Sequence, residues 1–106
     1  MSNQESTKKP PLEPEIERKI KGILFVLFPD AKIYLFGSRV RGTHREDSDI
    51  DIAVDAGEKL PFSTTGEARR MLNELNISNK VEIVDFHLTS DGMRESILKE
   101  GILWKP

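Results

Sequence analysis

The chain has 106 residues, 37% of them apolar and 32% charged, which bounds it to one domain around one modest core. That length leaves no room for a second lobe, so a different chain or a second copy of this one is expected to supply any substrate surface the domain lacks. Sixteen basic and eighteen acidic residues leave a net charge of −2, no overall drive toward nucleic acid or an anionic membrane. Cysteine is absent, which excludes disulfides, thiolate catalysis and cysteine zinc sites, and fits a reducing cytoplasm. No apolar run approaches the roughly 20 residues that span a bilayer. Met1 to Lys9 is polar, unlike a signal peptide, so a cytoplasmic location is expected.

Met1 to Glu13 is rich in Ser, Lys, Pro and Glu and reads as a disordered arm, with the folded domain spanning residues 14–106. From Glu15 the pattern changes. Ile16, Ile20, Ile23, Leu24 and Leu27 recur at helical spacing, Pro14 suits a first-turn position, and Phe28-Pro29-Asp30 ends the helix. Ala31 to Phe36 is short and apolar, stops at Gly37, and reads as a buried strand. Ser38 to Arg41 is read as a turn of helix before a polar loop, Gly42 to Ser48. Asp49 to Val54 then alternates acidic and apolar residues with the period of a strand.

A loop with Gly57 and Pro61 leads to a helix over about Thr64 to Asn76, with Ala68, Met71, Leu72 and Leu75 as its buried stripe. Val81 to Phe86 is the next strand. Ser90 caps a last helix with Met93 and Ile97 facing inward, Gly101 stops it, and Ile102-Leu103-Trp104 adds a short strand. Three or four strands alternating with three helices predict an α/β (α+β) domain. Its small mixed sheet should carry helices mainly on one face and leave the other for a site.

Chemistry concentrates in Leu35-Phe36-Gly37-Ser38-Arg39-Val40-Arg41-Gly42 and Ser48-Asp49-Ile50-Asp51-Ile52. Asp49 and Asp51 lie two apart on an expected strand, so both side chains leave one face with Cα atoms roughly 6.6 Å apart. Two carboxylates so placed repel unless a cation lies between them, and their oxygens suit Mg²⁺. Two divalent ions about 3.5–4 Å apart are the usual clamp for in-line displacement at phosphorus. A solvated edge strand would explain the pair equally well on its own, although Asp is a poor strand former. Gly37 lets a backbone approach a ligand closely, and Ser38 at the start of a helical turn offers N–H groups and a hydroxyl to an anion. Alone, that element reads as a plain capped turn. Together, a Gly-Ser turn and a carboxylate pair on neighbouring strands form both halves of a site for a metal-bound triphosphate.

Gly37-Ser38, ten intervening residues, then Asp49-Ile50-Asp51 resembles the signature of the DNA polymerase β nucleotidyltransferase superfamily. The fuller string from Phe36 to Thr43, followed by Asp47-Ser48-Asp49-Ile50-Asp51, is similar to its minimal nucleotidyltransferase (MNT) branch, and the likeness runs from about Ile16 to Trp104. The resemblance implies a nucleotidyltransferase fold. It also implies that Asp49 and Asp51 bind two Mg²⁺ ions, and that Gly37 and Ser38 hold the β- and γ-phosphates of ATP or another nucleoside triphosphate. It further implies a third carboxylate on a later strand, which completes the metal site and helps deprotonate the acceptor hydroxyl. The matching stretch is Val81-Glu82-Ile83-Val84-Asp85-Phe86, with Glu82 in register where the family more often has Asp. Asp85 is the alternative; an odd offset puts it on the opposite strand face, so only one of the two belongs to the site.

Arg39 and Arg41 are candidates to neutralise triphosphate charge, or else solvated surface residues; two apart on a helical turn, they cannot both point at one ligand. His44 and His87 have no partner at zinc-ligand spacing and read as packing or surface residues. Trp104 reads as a core or interface anchor, and Phe25, Phe28 and Phe36 as core.

Two functions compete. The first is Mg²⁺-dependent nucleotidyl transfer, AMP being the expected group, to an acceptor hydroxyl. The MNT resemblance implies a HEPN-domain protein as partner, with this chain as antitoxin; association with a second copy is a further expectation. The second is a nucleotide-binding or antitoxin module that neutralises its partner without catalysis, for which Glu82 is the best support. Nucleic-acid binding has only the Arg39–Arg45 cluster behind it and ranks last.

Overall fold

The computed structural model describes residues 10–105. Helix α1 (Pro14–Leu27) starts on a proline, whose missing N–H costs nothing there, and carries Glu15 and Glu17 in its first turn, where acidic charge complements the helix dipole. Its apolar stripe buries Ile20 and Leu24. Strand β1 (Lys32–Phe36) follows, then a single helical turn α2 (Ser38–Arg41), β2 (Ile50–Asp55), α3 (Phe62–Asn73), β3 (Val81–Asp85), α4 (Asp91–Glu100) and β4 (Ile102–Lys105). A 3-10 turn, Phe86–Leu88, links β3 to α4.

The four strands lie in the order β3-β2-β1-β4. β1 pairs antiparallel with β2 and β4, while β2 and β3 run parallel. A parallel pair needs a long crossover, and α3 provides it. Asn73 joins the end of α3 to the start of β3: its Oδ1 accepts from Val81 N and its Nδ2 donates to Val81 O.

Strand alternation sorts the side chains. Ile33, Leu35, Ile50, Ile52, Val54, Val81 and Ile83 pack under α1 and α3 in the main core with Ile20, Leu24, Ala68 and Leu72. Tyr34, Ala53, Phe86 and Ile97 form a smaller cluster on the other face. Asp51 and Glu82 fall on that second face, each flanked along its strand by core residues. The expected α/β architecture, a small mixed sheet with helices mainly on one side, is the one observed.

Particular elements differ from the sequence reading. The expected disordered arm lies, for residues 1–9, outside the described residues; its last part packs, with Leu12 buried in the core and Pro11 O accepting a hydrogen bond from Arg39. β2 begins at Ile50 rather than Asp49, because Ile50 N makes the first link to Lys80 O (2.9 Å) while the Asp49 carbonyl is taken by Arg39. α3 starts right after Pro61 and ends at Asn73, whose side chain turns to β3. Met93, expected inward, is 42% exposed, since α4 meets the sheet beside β1 and buries only Ile97. Ser90 caps α4 as expected, accepting from Met93 N at 3.2 Å. Phe28 is buried, Phe25 and Phe36 are partly buried, and Trp104 packs on the core with Lys21 Nζ 5.3 Å from its ring centroid.

Leu72 is wholly buried where α3 meets the sheet. Leu72→Ala should cost about 2–5 kcal/mol in thermal or denaturant unfolding. Val26→Ala, at a position 77% exposed, should leave the midpoint unchanged.

Candidate active site

β1 delivers the chain to Gly37, and the antiparallel register sets its neighbour: Phe36 lies opposite Asp51. Gly37 has φ 89° and ψ −155°, a conformation side chains rarely adopt. A Cβ there would stand 2.5 Å from Asp51 Oδ2. Two separate demands, backbone conformation and space, therefore require glycine at this position. Beyond it α2 makes one turn, with Val40 N and Arg41 N donating to Gly37 O at 3.1 and 3.2 Å, and Gly42 in the left-handed region ends it. Ser38 thus opens a helical turn beside a carboxylate.

Three acids lie at this end of the sheet, on β2, just before it, and on β3. Asp51 is half-buried in β2; Asp49 stands exposed one residue before the strand; Glu82 is level with Asp51 across the parallel β2–β3 pair. Burial is the main reason the Asp51 carboxyl is raised from its ordinary value, and the charges of Asp49 and Glu82 raise it further. Arg39 and Arg41 offset part of this. The Glu82 carboxylate is turned to Lys80 at 3.5 Å and Arg69 at 3.9 Å, and Arg69 is itself anchored by donating to Ile83 O at 2.8 Å. Among the described residues no three acidic or imidazole side chains converge on one point as they stand. The donor set still fits a hard divalent cation: carboxylate oxygens only, crowded and mutually repelling, beside a backbone that leaves them open.

Asp85 occupies the opposite side of β3. Buried, it accepts from Leu60 N at 2.7 Å and His87 N at 3.0 Å, so it serves the loop connections while Glu82 shares the face of Asp51. The two arginines part company, as turn geometry requires. Arg41 is exposed, 3.9 Å from Glu100. Arg39 is only 6% exposed and donates to backbone carbonyls, Nε to Asp49 (3.3 Å) and Nη2 to Ser48 (2.9 Å) and Glu46 (3.3 Å). That places Arg39 beneath the acid-bearing loop instead of at a phosphate. Asn79, which the sequence did not single out, is also buried there and donates to Glu46 O (2.6 Å) and Ser48 O (3.0 Å). Nothing in a lone Asn before a strand signals this; only the fold brings it to the loop. His44 is buried beside the same loop, and His87 Nε2 lies 2.6 Å from Asp55 Oδ1 at the far end of β2.

A small mixed sheet, a Gly-Ser turn pressed against an aspartate and a second strand adding a third acid define a nucleotidyl-transfer domain. The family described as "Polymerase beta, Nucleotidyltransferase" matches residues 18–104, and the chain belongs to it as an adenylyltransferase-like enzyme. It is 35% identical over 80 residues to a probable protein adenylyltransferase, MntA, of Haemophilus influenzae, covering 76% of this chain and 70% of that one. A crystal structure of a toxin–antitoxin with AMP-PNP superposes with TM-score 0.72 at 33% identity, covering 85% of this chain and 73% of that one. The chain is also similar to one in a structure of tri-AMPylated Shewanella oneidensis HEPN toxin in complex with MNT antitoxin, with TM-score 0.69 and 28% identity, covering 90% of this chain and 74% of that one.

The raised Asp51 carboxyl carries a stability consequence. The folded state holds this proton more tightly than the unfolded chain, so its stabilising contribution is present below the ordinary carboxylate range and lost as pH rises through the raised value. At neutral pH the ionised group is a net cost. Asp51→Asn should therefore raise the melting temperature of the metal-free protein at pH 7 by a few degrees, since ~1 kcal/mol moves a domain this size by roughly 4–8 °C. By about pH 3, below both carboxyl values, the difference should vanish.

Proposed function

We propose that this chain is a Mg²⁺-dependent adenylyltransferase that passes AMP from ATP to a hydroxyl of a HEPN-domain partner protein, acting as the antitoxin of the pair. The observation that carries the reading is the contact between Gly37 and Asp51, with Glu82 in register beside them. The relatives add support: one is called a probable protein adenylyltransferase, and another is an MNT antitoxin held with an AMPylated HEPN toxin.

Asp49, Asp51 and Glu82 would hold the divalent ions, for which Glu82 would leave Lys80 and Arg69. Bound there, Mg²⁺ supplies neutralising charge to the triphosphate and to the attacking and leaving oxygens. Gly37 and Ser38 would receive the β- and γ-phosphates, the glycine because its bare backbone is the only surface that fits against Asp51. In the transfer, the acceptor oxygen bonds to the α-phosphorus as the bond to the bridging oxygen breaks, and pyrophosphate leaves. Glu82 takes the hydroxyl proton. The chain's contribution is alignment and fixed charge, the two largest levers in phosphoryl chemistry. Its cytoplasmic setting follows from the same reading, and no described helix is long and apolar enough to cross a membrane.

One observation favours a second reading, an antitoxin that binds without transferring: Glu82 sits between Lys80 and Arg69 and not with the aspartates. A single assay separates the two. With ATP labelled at the α-phosphate, Mg²⁺ and a HEPN-domain partner protein, wild type should label the partner, and Asp49→Asn or Asp51→Asn should lower the rate by about 10²-fold or more. Glu82→Gln should fall similarly, whereas Asp85→Asn should lower stability and leave the rate of the folded fraction near wild type. Gly37→Ala should abolish labelling. Label that persists in both aspartate variants, or no label with wild type while the partner is still neutralised, would overturn the catalytic reading.

A further inference from the structure

The loop before β2 has little regular structure to hold it. Its internal bonds are Arg45 N to Ser48 Oγ (2.8 Å) and Ser48 N to Arg45 O (3.1 Å). Asp51 is fixed by the sheet, with β1 on one side and β3 on the other. Asp49 has no such support: it is exposed and precedes the first rung of the ladder. What holds it is a pair of buried side chains from outside the loop. The Arg39 guanidinium reaches the carbonyls of Asp49, Ser48 and Glu46, and also Arg45 O (3.5 Å) and Pro11 O (3.2 Å). Asn79 Nδ2, arriving just before β3, donates to Glu46 O and Ser48 O, so Ser48 O is held from both sides.

We infer that Arg39 and Asn79 are positioning residues that clamp the loop from Arg45 to Asp49 and so set the Asp49 carboxylate for the metal. This rests on the metal-binding reading above and extends it to residues that touch neither metal nor nucleotide. The chemistry suits the task. The hydrogen bonds of Arg39 go to carbonyl dipoles, with the charges of Asp51 and Glu13 acting on it only from a distance, and a guanidinium buried on dipoles is an expensive way to fill space. A planar fork of donors can hold several carbonyls at fixed angles, which the single ammonium of lysine cannot. Arg39 also follows Gly37-Ser38 directly. One side chain therefore ties the phosphate turn, the acid loop and the segment before α1 into a single rigid unit.

The test measures metal binding directly, by Mn²⁺ titration of the nucleotide-free protein followed by the EPR signal of free Mn²⁺. Wild type, Arg39→Lys, Asn79→Ala and Ile97→Val are compared, the last lowering stability in α4, within the cluster of Tyr34, Ala53 and Phe86 and outside the loop. Arg39→Lys and Asn79→Ala should bind Mn²⁺ about 10-fold more weakly, the usual loss when an outer support of a ligand is removed. In the transfer assay their kcat should fall at ordinary Mg²⁺ and partly recover at high Mg²⁺, while KM for ATP at saturating Mg²⁺ changes little. Ile97→Val should lower the melting temperature without moving the Mn²⁺ curve. Should Arg39→Lys fail to fold, Asn79→Ala, the smaller change, decides. Variants that fold and bind Mn²⁺ as tightly as an active wild type would overturn the clamp alone; a wild type that binds no Mn²⁺ would overturn the metal site and the clamp with it.

Discussion

The approach of Gly37 to Asp51 across the β1–β2 pair constrains the rest of the molecule. Antiparallel register puts Phe36 opposite Asp51, and the next residue must turn away with a positive φ over the carboxylate. Any side chain at that point would collide with Asp51 Oδ2. A one-residue slip of the pairing would send Asp51 to the core face and bring an isoleucine to the site. The hydrophobic alternation of β2, with Ile50, Ile52 and Val54 all wholly buried, is what forbids the slip. Core packing and site assembly are thus one constraint seen from two faces of the same strand.

The site works against the stability of its own fold. Asp51 is partly withdrawn from water, and the neighbouring charges of Asp49 and Glu82 add repulsion where the structure offers little compensation. Lys80 and Arg69 hold Glu82 in the meantime, which limits the repulsion without removing the acid from the face it shares with Asp51. Crowding of this kind is relieved by charge of the opposite sign, which is what the proposed cation site calls for.

The sheet supplies only part of the geometry. Asp51 and Glu82 inherit their positions from strand pairing, whereas Asp49 depends on backbone carbonyls held by Arg39 and Asn79. Strand order makes this possible. Because β2 and β3 are parallel neighbours, the start of β3 lies beside the start of β2, so Asn79 and the loop before Ile50 meet. The α3 crossover is therefore more than a connection. It brings both the third acid and a loop support to the end of the sheet where the Gly-Ser turn lies.

Most of the fold and the centre of the site were legible in the sequence because their signals are local. Alternation in Asp49 to Val54 marked β2, although the strand starts at Ile50 and leaves Asp49 in the loop; helical spacing placed the buried stripes of α1 and α3, and Gly37 marked the end of β1. Ser90 and Gly101 bounded α4 by their capping chemistry. The difference between Glu82 and Asp85 was half legible: their odd offset showed that they point apart, and only the register Asp51↔Glu82 said which one shares the face of Asp51. Arg39 was visible as a residue and misleading as a role, since a cation beside a Gly-Ser turn suggests phosphate. Its true neighbours, the carbonyls of residues 45, 46, 48 and 49 and of Pro11, are set by a turn direction that no spacing rule encodes. The sequence by itself determined which residues alternate, which cap and which must be glycine, because those properties belong to a few consecutive backbone angles. Tertiary structure alone decided who meets whom across distance, the carbonyls Arg39 and Asn79 would hold and the cations Glu82 would face, because these follow from strand order and loop path.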